Sequence, residues 1–169
     1  MGEDLFRQRA VLAKKGNKFE DFTEGQVFEH HWGRTITDGD NTWFSTQTLS
    51  FNPMYFNEPY AQLNGHQKMV VNPLLVFNTA FGLSVEDLSE SGGLFLGVDD
   101  CEFIIPMLVG DTLTARSTVV GKRVSKSNKH AGIVSWFTEG FNQHGSKVIE
   151  FKRTNFVRFK DPEFSKVED

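Results

Sequence analysis

The residues best equipped for chemistry gather between positions 38 and 58: the carboxylates Asp38, Asp40 and Glu58, the hydroxyls of Ser50 and Tyr55, and the amide of Asn52. Their types limit what each can do. A carboxylate can take a proton from water, whereas serine does not titrate usefully and a tyrosine, with a reference pKa near ~10, is mostly protonated at neutral pH. Tyr55, one of two tyrosines, is therefore a proton or hydrogen-bond donor and a poor resting base; as a core ring with its hydroxyl satisfied it would have no chemical part. Ser50 and Asn52 also read as turn residues, because asparagine before proline is a routine helix exit. Two further amides follow. Asn72 precedes Pro73 and fits as a helix N-cap, and Asn78 sits among apolar residues, where a polar group needs a partner in the packing or in a site.

Other chemistries find little support. His30 and His31 are adjacent in an extended stretch, so their rings point to opposite faces and do not easily share a metal. The single cysteine, Cys101, lies between Asp100 and Glu102, whose charges disfavour a thiolate. One cysteine also allows neither an intrachain disulfide nor a cysteine-pair zinc site. That usage suits a reducing compartment, and with no apolar leader run the chain reads as cytoplasmic. Eighteen Lys and Arg against 22 Asp and Glu leave a formal net charge of -4, the wrong sign for a protein that tracks a nucleic-acid backbone. The longest apolar run, 103–109, contains Pro106 and is far short of the ~20 residues of a membrane span, so it is expected in the core and no membrane partner is expected.

The elements that must position these groups follow from the pattern. At 169 residues the chain suits one domain, with a mixed-charge helical arm over 1–18 and the domain proper over 19–169. An extended stretch at 26–36 is broken by Gly33. Thr37 and Asp40 match a capping box, predicting a helix over 38–49; Glu58-Pro59 opens a second, closed by Gly65. Asn72 and Pro73 then start a helix over 72–83 that is apolar nearly all round, the mark of a helix wrapped by the rest of the fold. From position 94 four strand-like runs, 94–105, 111–124, 131–142 and 147–159, are separated by short turns, which implies antiparallel pairing. The order argues an α+β domain in which a curved sheet wraps one helix.

Across residues 19–159 the sequence resembles the MaoC-like dehydratases, hot-dog-fold proteins that act on acyl-CoA thioesters. The resemblance rests on Phe19-Glu20-Asp21-Phe22-Thr23-Glu24-Gly25-Gln26, on Arg34-Thr35-Ile36-Thr37 before the first helix, and on Phe51-Asn52-Pro53-Met54-Tyr55-Phe56-Asn57 at the hydratase motif. Val71-Asn72-Pro73-Leu74-Leu75 falls on the start of the long helix. Within the family, stretches 82–87 and 151–154 are most similar to the branch of mesaconyl-CoA and itaconyl-CoA hydratases. The resemblance implies a single hot-dog fold paired into a double-hot-dog homodimer with sites at the subunit boundary. It implies a hydro-lyase acting on a short, branched or dicarboxylic enoyl-CoA, with no cofactor beyond the CoA thioester itself. An unpaired chain would leave a sheet edge open.

The departures bear directly on mechanism. Where the family's motif supplies an Asp before the Asn-Pro pair and a His after it, this chain has Ser50 and Tyr55. Where the family has a His-Gly pair at the mouth of the long helix, it has Asn72-Pro73, and proline has no amide hydrogen to donate. Three readings remain open, in this order. A hydratase with relocated chemistry would use Tyr55 as acid or donor, Asn52, Asn72 and Asn78 to orient water and thioester, Ser50 in the motif, and Asp40 or Glu58 as base. A non-catalytic acyl-CoA binder would have lost both titrating groups. A thioesterase would use Asp38, Asp40 or Glu58 to activate water against the carbonyl carbon. Lys122, Arg123 and Lys126, with Lys129 and His130, form a basic run that is either a solvated turn or a contact to CoA phosphates.

Overall fold

A computed structural model describes residues 16–160; residues 1–15 of the expected helical arm lie outside the described residues. Six strands make one antiparallel sheet: β1 (Val27–Glu29), β2 (Arg34–Thr35), β3 (Phe95–Phe103), β4 (Thr112–Val124), β5 (Ala131–Phe141) and β6 (Lys147–Arg158). Their spatial order is β1-β4-β5-β6-β3, with β2 also on β4. The four long strands start and end within a residue or two of the runs read from the sequence. Four helices separate them in the chain: α1 (Asp38–Gln47), α2 (Glu58–Leu63), α3 (Pro73–Leu83) and the short α4 (Val85–Leu88).

The sheet's period-2 alternation decides which face is covered. Leu113, Ala115, Ser117 and Val119 of β4 are buried while Thr114 and Val120 are exposed, and β6 buries Ile149, Phe151, Arg153, Asn155 and Val157 in turn. Against this face lie two apolar clusters. One joins Val76 and Ala80 of α3 to Leu113, Ile149 and Phe151. The other joins Phe19, Phe22 and Leu88 to Val119, Val134, Trp136 and Val157.

Arg153 enters this face as a fully buried cation, 1% exposed. Its guanidinium donates to Asn155 Oδ1 at 3.0 Å, to Ser84 Oγ at 2.8 Å and to Ser89 Oγ, and it covers the Phe81 ring at 4.1 Å. Burial pulls its pKa down to about 10, still protonated at neutral pH. Ser84 caps the C-terminus of α3, so the cation sits where the helix dipole is negative.

Two expectations are corrected here. The helix α3 is covered on one side only: Val76 and Ala80 are buried, but Leu74, Asn78 and Gly82 form an exposed stripe at i, i+4, i+8, because among the described residues no segment crosses that side. The apolar run 103–109 is not all core either. Met107 is 1% exposed, but Phe103, Ile104 and Ile105 are 46%, 45% and 40% exposed at the end of the outermost strand. Among the described residues, no helix is long and apolar enough to cross a membrane.

One packing constraint is at Gly132, where a Cβ would overlap the Phe19 ring. Overpacking of a filled core costs about 2 kcal/mol, so Gly132→Ala should lower the urea midpoint with the slope unchanged; an unchanged midpoint would show that the ring moves freely.

Candidate active site

The local sequence builds the site from α1 outward. Thr37 Oγ1 accepts from the Asp40 amide at 3.1 Å and Asp40 Oδ2 accepts from the Thr37 amide at 3.0 Å, the capping box that starts the helix. One turn on, α1 buries two polar side chains at i, i+4 spacing, Asn41 and Ser45, each 0% exposed. Asn41 Nδ2 donates to the carbonyls of Tyr55 at 2.7 Å and Val70 at 3.0 Å, and its Oδ1 accepts from the Asn72 amide at 2.8 Å. One buried amide thus ties α1 to three segments that are distant in sequence.

Asn72 is 1% exposed, and its side chain is committed: Oδ1 accepts from the Leu74 amide at 3.0 Å and Nδ2 donates to Ser45 Oγ at 3.2 Å. The amides of Leu75 and Val76 bond the Asn72 carbonyl at 2.9 and 3.1 Å. With Pro73 lacking a hydrogen, the first turn of α3 offers no free amide to a ligand.

Between the start of α3 and the chain after β3 lies a cavity of about 260 Å³. Val70, Val71, Pro73 and Val76 line one side, and residues 103–107 with Val148 line the other. At roughly 30 Å³ per water it has the room of about nine water molecules, enough for a short acyl chain. The wall is held by strand-like bonds, Val71 amide to Met107 carbonyl at 2.8 Å and Val109 amide to Met69 carbonyl at 3.0 Å. Two residues with polar side chains, Tyr55 and His66, are among those that line this apolar space. Tyr55 ends a 3-10 turn, Pro53–Tyr55, that Asn52 caps by accepting from the Met54 amide at 3.1 Å. His66 follows Gly65, whose φ of +87° is the left-handed turn that closes α2. Among the described residues, neither the Tyr55 hydroxyl nor the His66 ring makes a hydrogen bond.

Of the residues singled out from the sequence, the structure therefore brings Tyr55 into the cavity and leaves the others around or away from it. Asn52 and Asn72 act as caps beside it. The Ser50 amide bonds the Ser45 carbonyl at 2.8 Å, closing α1. Asn78 Nδ2 donates to the Leu74 carbonyl at 2.8 Å on the exposed stripe of α3. Glu58 is exposed at the start of α2. Asp40 lines a different hollow of about 300 Å³ with Arg34, Leu75 and Gly82. Its carboxyl accepts from the Thr37 amide and hydroxyl and pairs with Arg34 at 2.8 Å, and these contacts hold it below the usual carboxylate range, which makes it a weak base. None of the three carboxylates Asp38, Asp40 and Glu58 lines the cavity.

The basic run is separated from it as well. Lys122 aligns with Val134 and, through it, Asn155, seven residues or roughly 24 Å of strand from Val148 at ~3.4 Å per residue. Lys122 Nζ instead donates to the Phe22 carbonyl at 2.6 Å and covers the Phe19 ring, while Arg123 and Lys126 are exposed near the same end of the sheet.

His66 and Asn41 carry no sequence signature beyond a histidine just past a helix-closing glycine and an asparagine on the inner face of a short helix. Among the described residues no three His, Cys, Asp or Glu side chains gather as a metal site requires. His30, by contrast with His66, is used structurally, its Nδ1 bonding Asp87 at 2.6 Å and its Nε2 bonding Ser117 at 2.9 Å.

Comparison with known proteins places this geometry. A model of the mesaconyl-CoA hydratase family matches residues 4–166. Mesaconyl-CoA hydratase of Haloarcula hispanica is 38% identical over 160 residues, 94% of this chain and 45% of that protein. Beta-methylmalyl-CoA dehydratase of Chloroflexus aurantiacus is 37% identical over 147 residues, 87% of this chain and 42% of that one. The crystal structure of a MaoC domain protein dehydratase from Chloroflexus aurantiacus superposes with a TM-score of 0.82 at 34% identity, covering 90% of this chain and 43% of that one. The sheet with α3 packed against its covered face is thus the hot-dog arrangement that the sequence resemblance implied. The chain spans about half the length of the relatives it matches.

Two outcomes follow from the site's framework. Asn41→Ala strands two buried carbonyls and one amide, so it should cost about 3 kcal/mol of unfolding free energy, read by urea denaturation; a loss under ~0.5 kcal/mol would show that the three segments hold without it. Asp40, with its pKa depressed in the folded state, stabilises above the ordinary carboxyl value of ~3.9, and that contribution is lost as pH falls through the lower folded value. The stability gap between wild type and Asp40→Ala should therefore narrow from pH 6 to pH 3; a constant gap would show that the carboxylate charge plays no part.

Proposed function

Because the chain belongs to the mesaconyl-CoA hydratase family, we propose that it adds water to, or removes it from, a short, branched or dicarboxylic enoyl-CoA thioester. The observation that carries this reading is the small apolar cavity with Tyr55 at its wall, beside the start of α3. Hydration needs a donor for the negative charge that builds on the thioester oxygen, a base for water and an acid for the α-carbon. The first turn of α3 has no amide to spare, so the Tyr55 hydroxyl is the donor. Among the described residues it has no partner to give up, and in an apolar wall its hydrogen bond is stronger than in water. The apolar side chains on both walls exclude solvent water from the acyl group. Acid–base groups suffice for this reaction, and no cofactor beyond the CoA thioester is required. The lone Cys101 suits the reducing cytoplasm as its setting.

The assembly we propose is a homodimer. The strand β3 ends the sheet, Leu94, Phe95 and Leu96 along it are 67%, 51% and 43% exposed, and Leu74 on the uncovered side of α3 is 52% exposed. A second copy would pair the open edge and cover that helix stripe. A second functional reading, an acyl-CoA binder without turnover, is favoured by a cavity lining that holds no carboxylate among the described residues.

Incubation with crotonyl-, mesaconyl- and itaconyl-CoA and their hydrated counterparts, followed by mass spectrometry, should show gain or loss of one water, and Tyr55→Phe should lower turnover about 10²-fold. Tight binding of one ester with no conversion would establish the binder, and release of free CoA a thioesterase. Light scattering should give about twice the chain's 19.2 kDa; a monomer would overturn the assembly.

A further inference from the structure

We propose that His66 is the catalytic residue that carries the proton between water and the α-carbon; this rests on the hydratase reading and names the group that reading lacks. Among the described residues, the titratable ones on the cavity wall are Tyr55 and His66, and the rest of the lining is apolar. Tyrosine is a poor resting base, whereas imidazole is the side chain whose ordinary titration range spans neutral pH, so it can both take and return a proton there.

The placement of His66 has no structural explanation of the kind His30 has. The His30 ring ties Asp87 to Ser117 through both nitrogens, but the His66 ring bonds nothing among the described residues. Its backbone, in contrast, is fixed. The left-handed Gly65 turns the chain out of α2, the His66 amide bonds the Ala61 carbonyl at 3.1 Å, and four residues on the Val70 amide bonds the Met54 carbonyl at 3.0 Å. Those two bonds carry residues 66–70 alongside the turn that bears Tyr55. A half-buried imidazole, held at the cavity wall and free at both nitrogens, is poised for a ligand proton rather than for packing.

The step balances without any other reactant. Neutral His66 takes one proton from water as the water oxygen bonds to the β-carbon, and the π pair shifts toward the α-carbon and thioester oxygen. Tyr55 donates a hydrogen bond to that oxygen while the charge is there. The imidazolium then returns the proton to the α-carbon, forming the new C–H bond and restoring neutral imidazole. Dehydration is the same sequence reversed.

The test uses the full chain and whichever ester it converts. His66→Gln keeps a polar side chain but cannot shuttle a proton, so kcat should fall at least 10²-fold with KM changed less than threefold. The acidic limb of the kcat profile between pH 5 and 8 should be absent from the residual activity. His66→Ala should recover turnover when free imidazole is added, and both variants should keep the wild-type circular dichroism spectrum. A His66→Gln variant with undiminished kcat, or one raised only in KM for dicarboxylic esters, overturns this proposal while leaving the hydratase reading intact. A wild-type protein that converts no ester removes both.

Discussion

A single buried carboxamide, that of Asn41, sets the geometry on which the cavity depends. It is fully enclosed, so each of its polar atoms must be paired or cost free energy comparable to a lost hydrogen bond. Its partners are the Tyr55 carbonyl, the Val70 carbonyl and the Asn72 amide, which belong to the turn that bears the candidate donor, the segment that forms one wall and the start of the long helix. Apolar contacts could hold these pieces together at many relative positions, because burial is not directional. Three hydrogen bonds from one rigid amide allow few. The helical spacing that puts Ser45 one turn below Asn41 adds a fourth tie, to the Asn72 side chain, and makes the network closed.

The other end of α3 is held by a different device. There Arg153 spends its donors on Asn155, Ser84 and Ser89 and its faces on aromatic rings. An isolated buried cation is costly, and among the described residues no carboxylate bonds it. Its compensation is the negative end of the helix, three oxygen acceptors and the π faces of Phe81 and Trp136. The long helix is thus pinned at its N-terminus by a neutral amide network and at its C-terminus by a charge, with Val76 and Ala80 packed on the sheet between. That leaves the opposite stripe of the helix, Leu74, Asn78 and Gly82, with nothing among the described residues to bury it.

This contrast shows what was legible in the sequence. Local rules announce themselves in one or two residue types at fixed spacing. Thr37 with Asp40, Asn72 with Pro73, Glu58 with Pro59 and the period-2 runs after position 94 all named their elements to within a residue or two, and they carry the α+β architecture. Apolarity nearly all round α3 predicted burial all round, but composition cannot say which faces of the helix the described fold covers. Asn41 was invisible for the same reason: its partners are 14, 29 and 31 residues away, and an asparagine in a short helix looks like a surface residue until the fold closes over it. The carboxylates show the opposite case, in which the chemistry was legible in the sequence and the position was not. Asp40 has the right chemistry for a base, but the capping box that made it recognisable is what occupies its oxygens. The basic residues 122–126 lie at the wrong end of long strands, a distance that only the register reveals.

The family's motif positions and the cavity's polar groups then tell one story about where chemistry can reside. Position 50 closes α1 and position 72 caps α3, so both are occupied with holding the frame, and Pro73 removes the helix amide that would otherwise face a thioester oxygen. A site stripped of backbone donors must stabilise charge with side chains. Among the described residues that line the cavity, Tyr55 and His66 are the polar side chains without a structural hydrogen bond of their own. Their placement in an otherwise apolar lining is what gives two ordinary groups leverage: with few competing dipoles nearby, each interaction with a developing charge would be felt more strongly than in bulk solvent. The polar network around Asn41 lies just outside that wall, where it can fix positions without screening the field inside.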